Sequence, residues 1–156
     1  IWKSNTPYLQ SVTSTDNLSP HYQWKREYSK RELEKLLVES NINVFEMKKI
    51  YLKNLGPSNR PEQVVVVGAN NRYIVDSSEF RFLLDLRSTK FTIETKIKNR
   101  NRLNSNSKEL VYVFKGSGWG HGVGMSQWGA YQMALEGSKY QQILNHYYKN
   151  IKISKR

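Results

Sequence analysis

The sequence predicts an α+β fold: an antiparallel sheet or hairpins with several short helices, in a single domain or the C-terminal half of a larger one. Three observations lead there. Two pairs of strand-like stretches are joined by turn or loop residues, 64–67 with 73–75 and 89–97 with 110–114. Short helical patterns with N-cap signals are interspersed among them, an order that suits an antiparallel sheet. No internal repeat is visible.

Residues 1–28 lack periodicity. They hold Trp2, Tyr8, Tyr22, Trp24 and Tyr28 among Pro, Ser, Asn and Thr, as expected of an irregular segment pinned by aromatics. Ser29-Lys-Arg-Glu32 is a capping-box pattern with Leu33, Leu36 and Leu37 behind it, so a helix is expected over about 30–39, ending near Asn41. Val44 to Leu52 reads as a strand and Gly56-Pro57-Ser58-Asn59 as a turn. The valine run 64–67 reads as a buried strand stopped by Gly68. Asn70-Asn71 turns the chain into Tyr73-Ile74-Val75, and Asp76 to Glu79 caps a brief helix carrying Phe80, Leu83 and Leu84.

Phe91, Ile93, Thr95 and Ile97 alternate along a strand over 89–97. Lys98 to Lys108 is a polar loop tip, and 110–114 is the returning strand. Beyond a glycine-rich stretch, a helix is expected from about Ser126, with Trp128, Tyr131, Ala134 and Leu135 on its apolar face and Gly137 at its end. A second helix, capped by Ser138, carries Tyr140, Ile143, Leu144, Tyr147 and Tyr148. A last strand, Ile151 to Ile153, closes the chain.

Composition narrows the function. The share of aromatic residues is 12%, too high for a disordered tail. No run approaches the roughly 18 apolar residues of a membrane helix. There is no Cys, which excludes disulfides, thiolate metal sites and cysteine nucleophiles in this segment. His21, His121 and His146 include no pair four apart, so no metal site and no cofactor are expected; His21 and His146 read as structural or surface residues. The formal charge of +12 implies polyanionic surroundings, namely nucleic acid, anionic lipid or a cell wall. The cations are scattered and no nucleic-acid motif accompanies them, so nucleic acid is not expected as a partner. The chain begins at Ile1, without an initiator Met or signal peptide, and reads as a fragment or processed product.

Chemistry concentrates late in the chain. Seven of the nine glycines fall between Gly116 and Gly137, and five of them alternate at 116, 118, 120, 122 and 124, which calls for positive φ or close backbone approach. A strand, a glycine loop and a helix N-terminus leave several N–H donors pointing outward. A nucleotide loop is excluded, because Met125 stands where the third glycine would be and no Gly-Lys-Ser/Thr follows. What remains is a loop bearing Trp119, His121, Ser126, Gln127 and Trp128, whose flat indoles and short polar groups suit a carbohydrate surface. Trp128, spaced with Tyr131 and Leu135, equally fits a core position. His121 equally fits a residue that holds the loop by bonding a neighbouring carbonyl.

The run Gly118-Trp-Gly-His-Gly-Val-Gly-Met-Ser-Gln-Trp-Gly-Ala130 is followed by Met133-Ala134, Gly137, Tyr140, Ile143-Leu144 and His146-Tyr147-Tyr148. With it, the chain resembles the stage II sporulation protein D / amidase-enhancer family. Trp2, Pro7-Tyr8-Leu9, Val12, Trp24, Phe80-Arg81, Leu86-Arg87-Ser88-Thr89 and Phe91 extend the resemblance over nearly the whole chain. They also bring Arg87 and Ser88 into the expected substrate-binding set.

The resemblance implies action on peptidoglycan outside the cytoplasmic membrane, with glycan strands as partner and a cell-wall amidase as a second one. It implies lytic transglycosylase chemistry on strands stripped of peptides. It also places the family's catalytic glutamate upstream of the segment with which this chain begins, so 1–156 is read as the C-terminal part of the domain, with 116–130 as its signature loop. Any membrane attachment would come through an upstream anchor. Glu27, Glu32 and Glu34 sit beside bases and no acid lies in the glycine loop, so no catalytic residue is assigned. The loop is expected to position substrate, and a non-catalytic wall-binding or amidase-activating module is the alternative.

Overall fold

The computed structural model describes residues 6–99 and 108–154. In chain order the elements are β1 (Trp24–Ser29), α1 (Lys30–Glu39), β2 (Lys49–Leu55), β3 (Pro61–Val67), β4 (Arg72–Asp76) and α2 (Ser77–Leu83). Then come β5 (Phe91–Asn99), β6 (Lys108–Gly116), α3 (Gln127–Leu135) and α4 (Tyr140–Tyr147). The strands form two antiparallel three-stranded sheets, ordered β1-β6-β5 and β2-β3-β4. The α+β single domain read from the sequence is the one observed. Trp2 and the loop tip expected between β5 and β6 lie outside the described residues, apart from the ends of the two strands.

Local chemistry explains the elements that agree. At the start of α1, Ser29 Oγ accepts from the Glu32 N–H at 3.2 Å while the Glu32 carboxylate accepts from the Ser29 N–H at 2.8 Å, the reciprocal capping box. Leu33 and Leu37 turn the buried face of that helix into the core. Asp76 caps α2 by accepting from the Ser78 N–H at 2.7 Å.

Four expectations need correction. Residues 24–29 are a strand, not part of an irregular segment; the Lys25-Arg26-Glu27 run hides the pattern, and pairing with β6 (Trp24↔Gly116, Tyr28↔Tyr112) forms the element. β2 begins at Lys49, not Val44, because Glu46 adopts a left-handed φ of 45° and breaks the extended run. Lys139, not Ser138, is the N-cap of α4, its N–H donating to Gln142 Oε1 at 2.7 Å. Ile151 to Ile153 form no strand, since they pair with no strand of either sheet.

The core lies between the sheets and α1 and α2. Phe80, Phe91 and Phe114 meet with ring centroids 6.0–6.3 Å apart, surrounded by Leu33, Leu37, Val64, Val66 and Leu84. Trp24 sits at the border of this core, where β6 delivers the chain to the glycine loop. The helices α3 and α4 pack on each other and are tied to the first described segment. Tyr147 and Ser14 hydroxyls bond at 2.8 Å, His146 Nε2 donates to the Thr13 carbonyl at 2.7 Å, and the Lys149 N–H donates to the Tyr8 carbonyl at 2.9 Å. Among the described residues no helix is long and apolar enough to cross a membrane.

Candidate functional site

The glycine loop is stitched to the segment before β5. At its entry, a Cβ on Gly116 would run into the Trp24 ring and the Lys90 carbonyl. The N–H groups of Ser117, Gly118 and Gly120 then donate to the carbonyls of Lys90 (3.1 Å), His21 (3.0 Å) and Arg87 (2.8 Å). With the Thr89 N–H donating back to the Gly120 carbonyl at 3.3 Å, Ser88 and Gly120 pair as a short parallel bridge. Gly118, Gly120, Gly122 and Gly124 all have φ between 71° and 90°. The alternation seen in the sequence is therefore a backbone that repeatedly visits the left-handed region, where a Cβ is disfavoured. Gly122 carries a second constraint, since a Cβ there would collide with the Arg60 guanidinium.

The stitched loop forms one wall of an open groove of about 850 Å³, within the range of about 300–1,000 Å³ typical of ligand sites. Residues of the segment 9–16 and of the turn 57–60 line it as well. Trp119 is 60% exposed on this wall, so its indole face is available. It is nonetheless held: the His21 ring lies 4.6 Å from it, and the Arg87 guanidinium sits 5.8 Å over its ring. Arg87 Nη1 donates to His21 Nδ1 at 3.0 Å, so His21 accepts there and its Nε2 carries the proton.

His121 is exposed in the groove, and its Nδ1 accepts from the Val123 N–H at 3.0 Å. It braces the loop through its own ring nitrogen, not through a carbonyl, and presents Nε2–H outward when neutral. Ser126 is the N-cap of α3, accepting from the Gly129 N–H at 3.2 Å and donating to Asp16 Oδ1 at 2.9 Å. Gln127 opens the helix as an exposed groove residue. Trp128 is half-buried and lies outside the core; it lines the groove and meets Tyr131 edge-on at 5.8 Å. Five of the seven expected side chains thus share one groove.

The other two lie behind it. Arg87 supports Trp119 from the rear. Ser88 is fully buried, so it has no surface with which to touch a ligand. Its Oγ donates to the Ser117 carbonyl at 2.7 Å and accepts from Trp24 Nε1 and the Lys90 N–H, both at 3.2 Å. Ser88 is a residue that positions the loop.

Tertiary structure adds groove residues that the sequence reading did not select. His21, expected only as a structural or surface residue, stands beside Trp119. Asp16 is the one carboxylate that lines the groove among the described residues, and its Oδ1 accepts from both Ser14 Oγ (2.7 Å) and Ser126 Oγ. Arg60 donates to Thr89 Oγ1 at 3.0 Å and packs beneath Gly122, while Lys90 lines the wall exposed. Burial pushes the Arg60 guanidinium below its ordinary pKa, and the charge of Asp16 partly opposes that shift. No local pattern marks any of these; each comes from a separate stretch of chain.

Among the described residues no three His, Asp or Glu side chains converge as metal ligands, and the chain has no Cys.

Fold and groove together define an α+β domain in which a glycine loop and an exposed indole border a groove lined with hydroxyls and amides. The chain belongs to the family described as Domain of unknown function (DUF8618), whose model matches residues 3–124. It is similar to stage II sporulation protein D of Bacillus amyloliquefaciens, 33% identical over 154 residues that cover 98% of this chain and 40% of that protein. The stage II sporulation protein D of Bacillus subtilis (strain 168) is 30% identical over the same shares. An amidase enhancer of Bacillus subtilis (strain 168) is 36% identical over 74 residues, 47% of this chain and 9% of its own length. The chain spans about two fifths of the length of the sporulation proteins it matches.

Proposed function

We propose that the groove binds a peptidoglycan glycan strand, and that the chain is the substrate-positioning part of a lytic-transglycosylase-like cell-wall protein acting outside the cytoplasmic membrane. One observation carries the reading: an indole exposed over most of its surface is nevertheless clamped by His21 and Arg87 at the edge of a groove lined with hydroxyls. Holding a large apolar face rigid in water has a cost that a stacked sugar ring would offset. The names of the relatives support a cell-wall role. The acid that breaks the glycosidic bond is assigned to no residue of this chain, because Asp16 already spends Oδ1 on two hydroxyls that order the loop and α3.

The test is retention on purified sacculi, comparing the wild-type chain with Trp119→Ala and His121→Ala. Loss of retention in both, with unchanged melting temperature, supports the glycan site. Wild-type retention by both makes the loop purely structural.

A second reading, an amidase-activating module, is favoured by the match to an amidase enhancer and by Tyr131 and Leu135 standing exposed on α3. Stimulation of a purified wall amidase by the chain, lost in Leu135→Glu but kept in Trp119→Ala, would select it over the first.

A further inference from the structure

Resting on the reading of the groove as a glycan site, we propose that Arg60 and Lys90 form an anion subsite within it, selecting sugars that carry a free carboxylate. In a wall glycan that group is the 3-O-lactyl carboxylate of muramic acid.

Charge placement carries the inference. Arg60 projects from the turn after β2 and lies half-buried beneath the loop, its guanidinium against Gly122 and Nη1 bonded to Thr89 Oγ1 at 3.0 Å. Thr89 Oγ1 also donates to the His121 carbonyl at 3.4 Å, so Arg60 is tied through Thr89 to the loop at His121, and Lys90, next in the chain, lines the same groove. Neither Arg60 nor Lys90 takes part in an ion pair among the described residues. The one lining carboxylate, Asp16, is engaged by Ser14 and Ser126. The groove lining thus sets two cations, Arg60 and Lys90, against that single carboxylate.

A partly desolvated cation without a carboxylate partner is costly, and a ligand carboxylate offsets that cost. Arginine suits the task because its planar fork matches a carboxylate with two parallel hydrogen bonds. One guanidinium nitrogen is used on Thr89, which leaves the others as donors. Lys90, on a flexible stem, adds a mobile second charge. A neutral sugar offers these donors acceptor oxygens but no compensating charge.

The experiment measures affinities of the chain for four oligosaccharides of matched length. They are a peptide-free GlcNAc–MurNAc oligomer, the same oligomer with its lactyl carboxyls converted to methylamides, a chitooligosaccharide and an oligouronate. The carboxylate form is expected to bind about tenfold tighter than its methylamide, the scale of one charge-assisted hydrogen bond. That advantage shrinks as salt rises. In Lys90→Ala, and in Arg60→Gln once a thermal melt shows it folded, the ratio of the two falls toward one. Lys90 is exposed, so its variant keeps the test open if Arg60→Gln fails to fold. An oligouronate that binds as tightly as the muramic strand also supports a carboxylate subsite. Equal affinity for carboxylate and methylamide strands overturns the subsite and leaves the glycan reading standing. No binding of any oligosaccharide overturns the glycan reading, and the subsite with it.

Discussion

The indole N–H of Trp24 donates to the Oγ of Ser88 at 3.2 Å, in the buried seam where β1 and β6 meet the segment before β5. The same Oγ holds the Ser117 carbonyl at 2.7 Å, so one hydroxyl joins the core to the first residue of the glycine loop. Through this relay the groove wall inherits the rigidity of the phenylalanine core. Replacing Ser88 by Ala strands the buried Trp24 indole N–H and removes the partner of the Lys90 N–H and the Ser117 carbonyl, and should cost about 1–3 kcal/mol of stability. Urea unfolding of Ser88→Ala against wild type measures it. An unchanged midpoint would mean that the seam is hydrated or slack.

Gly122 and Gly120 separate two effects of a glycine. Both have left-handed φ, 71° and 90°, but a Cβ at 120 meets open space while one at 122 meets the Arg60 guanidinium. Gly120→Ala should cost about 1–2 kcal/mol from backbone strain alone. Gly122→Ala should cost more and should also displace Arg60. Thermal melts of the two variants give the ordering, and equal losses would show that Arg60 yields freely.

Trp119 tests binding apart from folding. Because the side chain is 60% exposed, Trp119→Ala should leave the melting temperature nearly unchanged. Under the proposed function it should weaken glycan binding by about tenfold or more. A large drop in melting temperature would place Trp119 in the structural framework instead.

Acid sensitivity has identifiable sources. Hydrogen bonds and charge from Lys25 and Lys98 hold the Glu27 carboxyl down at about 2, against an ordinary 4.5. In the capping box, hydrogen bonds from the backbone and side chain of Ser29 lower Glu32 as well. A carboxyl whose pKa is depressed in the folded state contributes stability above its unfolded value, and that contribution is lost as pH falls through the folded value. The Glu27 share is therefore present above about 4.5 and disappears toward about 2. Glu27→Gln should flatten the acid limb of a stability–pH curve, and added salt should flatten it in wild type because the site faces solvent. An acid limb identical in Glu27→Gln would assign the loss to other groups.

Much of this protein is written locally. The capping box at Ser29 and Glu32, the Asp76 cap, the valine strand with its Gly68 stop and the Phe91–Ile97 alternation are each set by neighbours within a few residues, and each appears where the sequence places it. The same holds for the glycine loop, because a demand for positive φ is a property of single residues. By itself, then, the sequence determined the α+β class, most element positions and the loop that carries Trp119 and His121. β1 escaped it because its charged residues carry no apolar period and only pairing with β6 makes them a strand. The composition of the groove escaped for a related reason. Asp16, His21, Arg60 and Lys90 come from separate stretches, and only their separate tertiary contacts with the glycine loop and its flanks bring them together. Ser88 shows the limit most plainly: the resemblance selects it as a contact, whereas burial turns its hydroxyl inward to hold the loop. Local sequence chooses conformation, but which polar groups reach solvent is decided by what the rest of the chain lays over them.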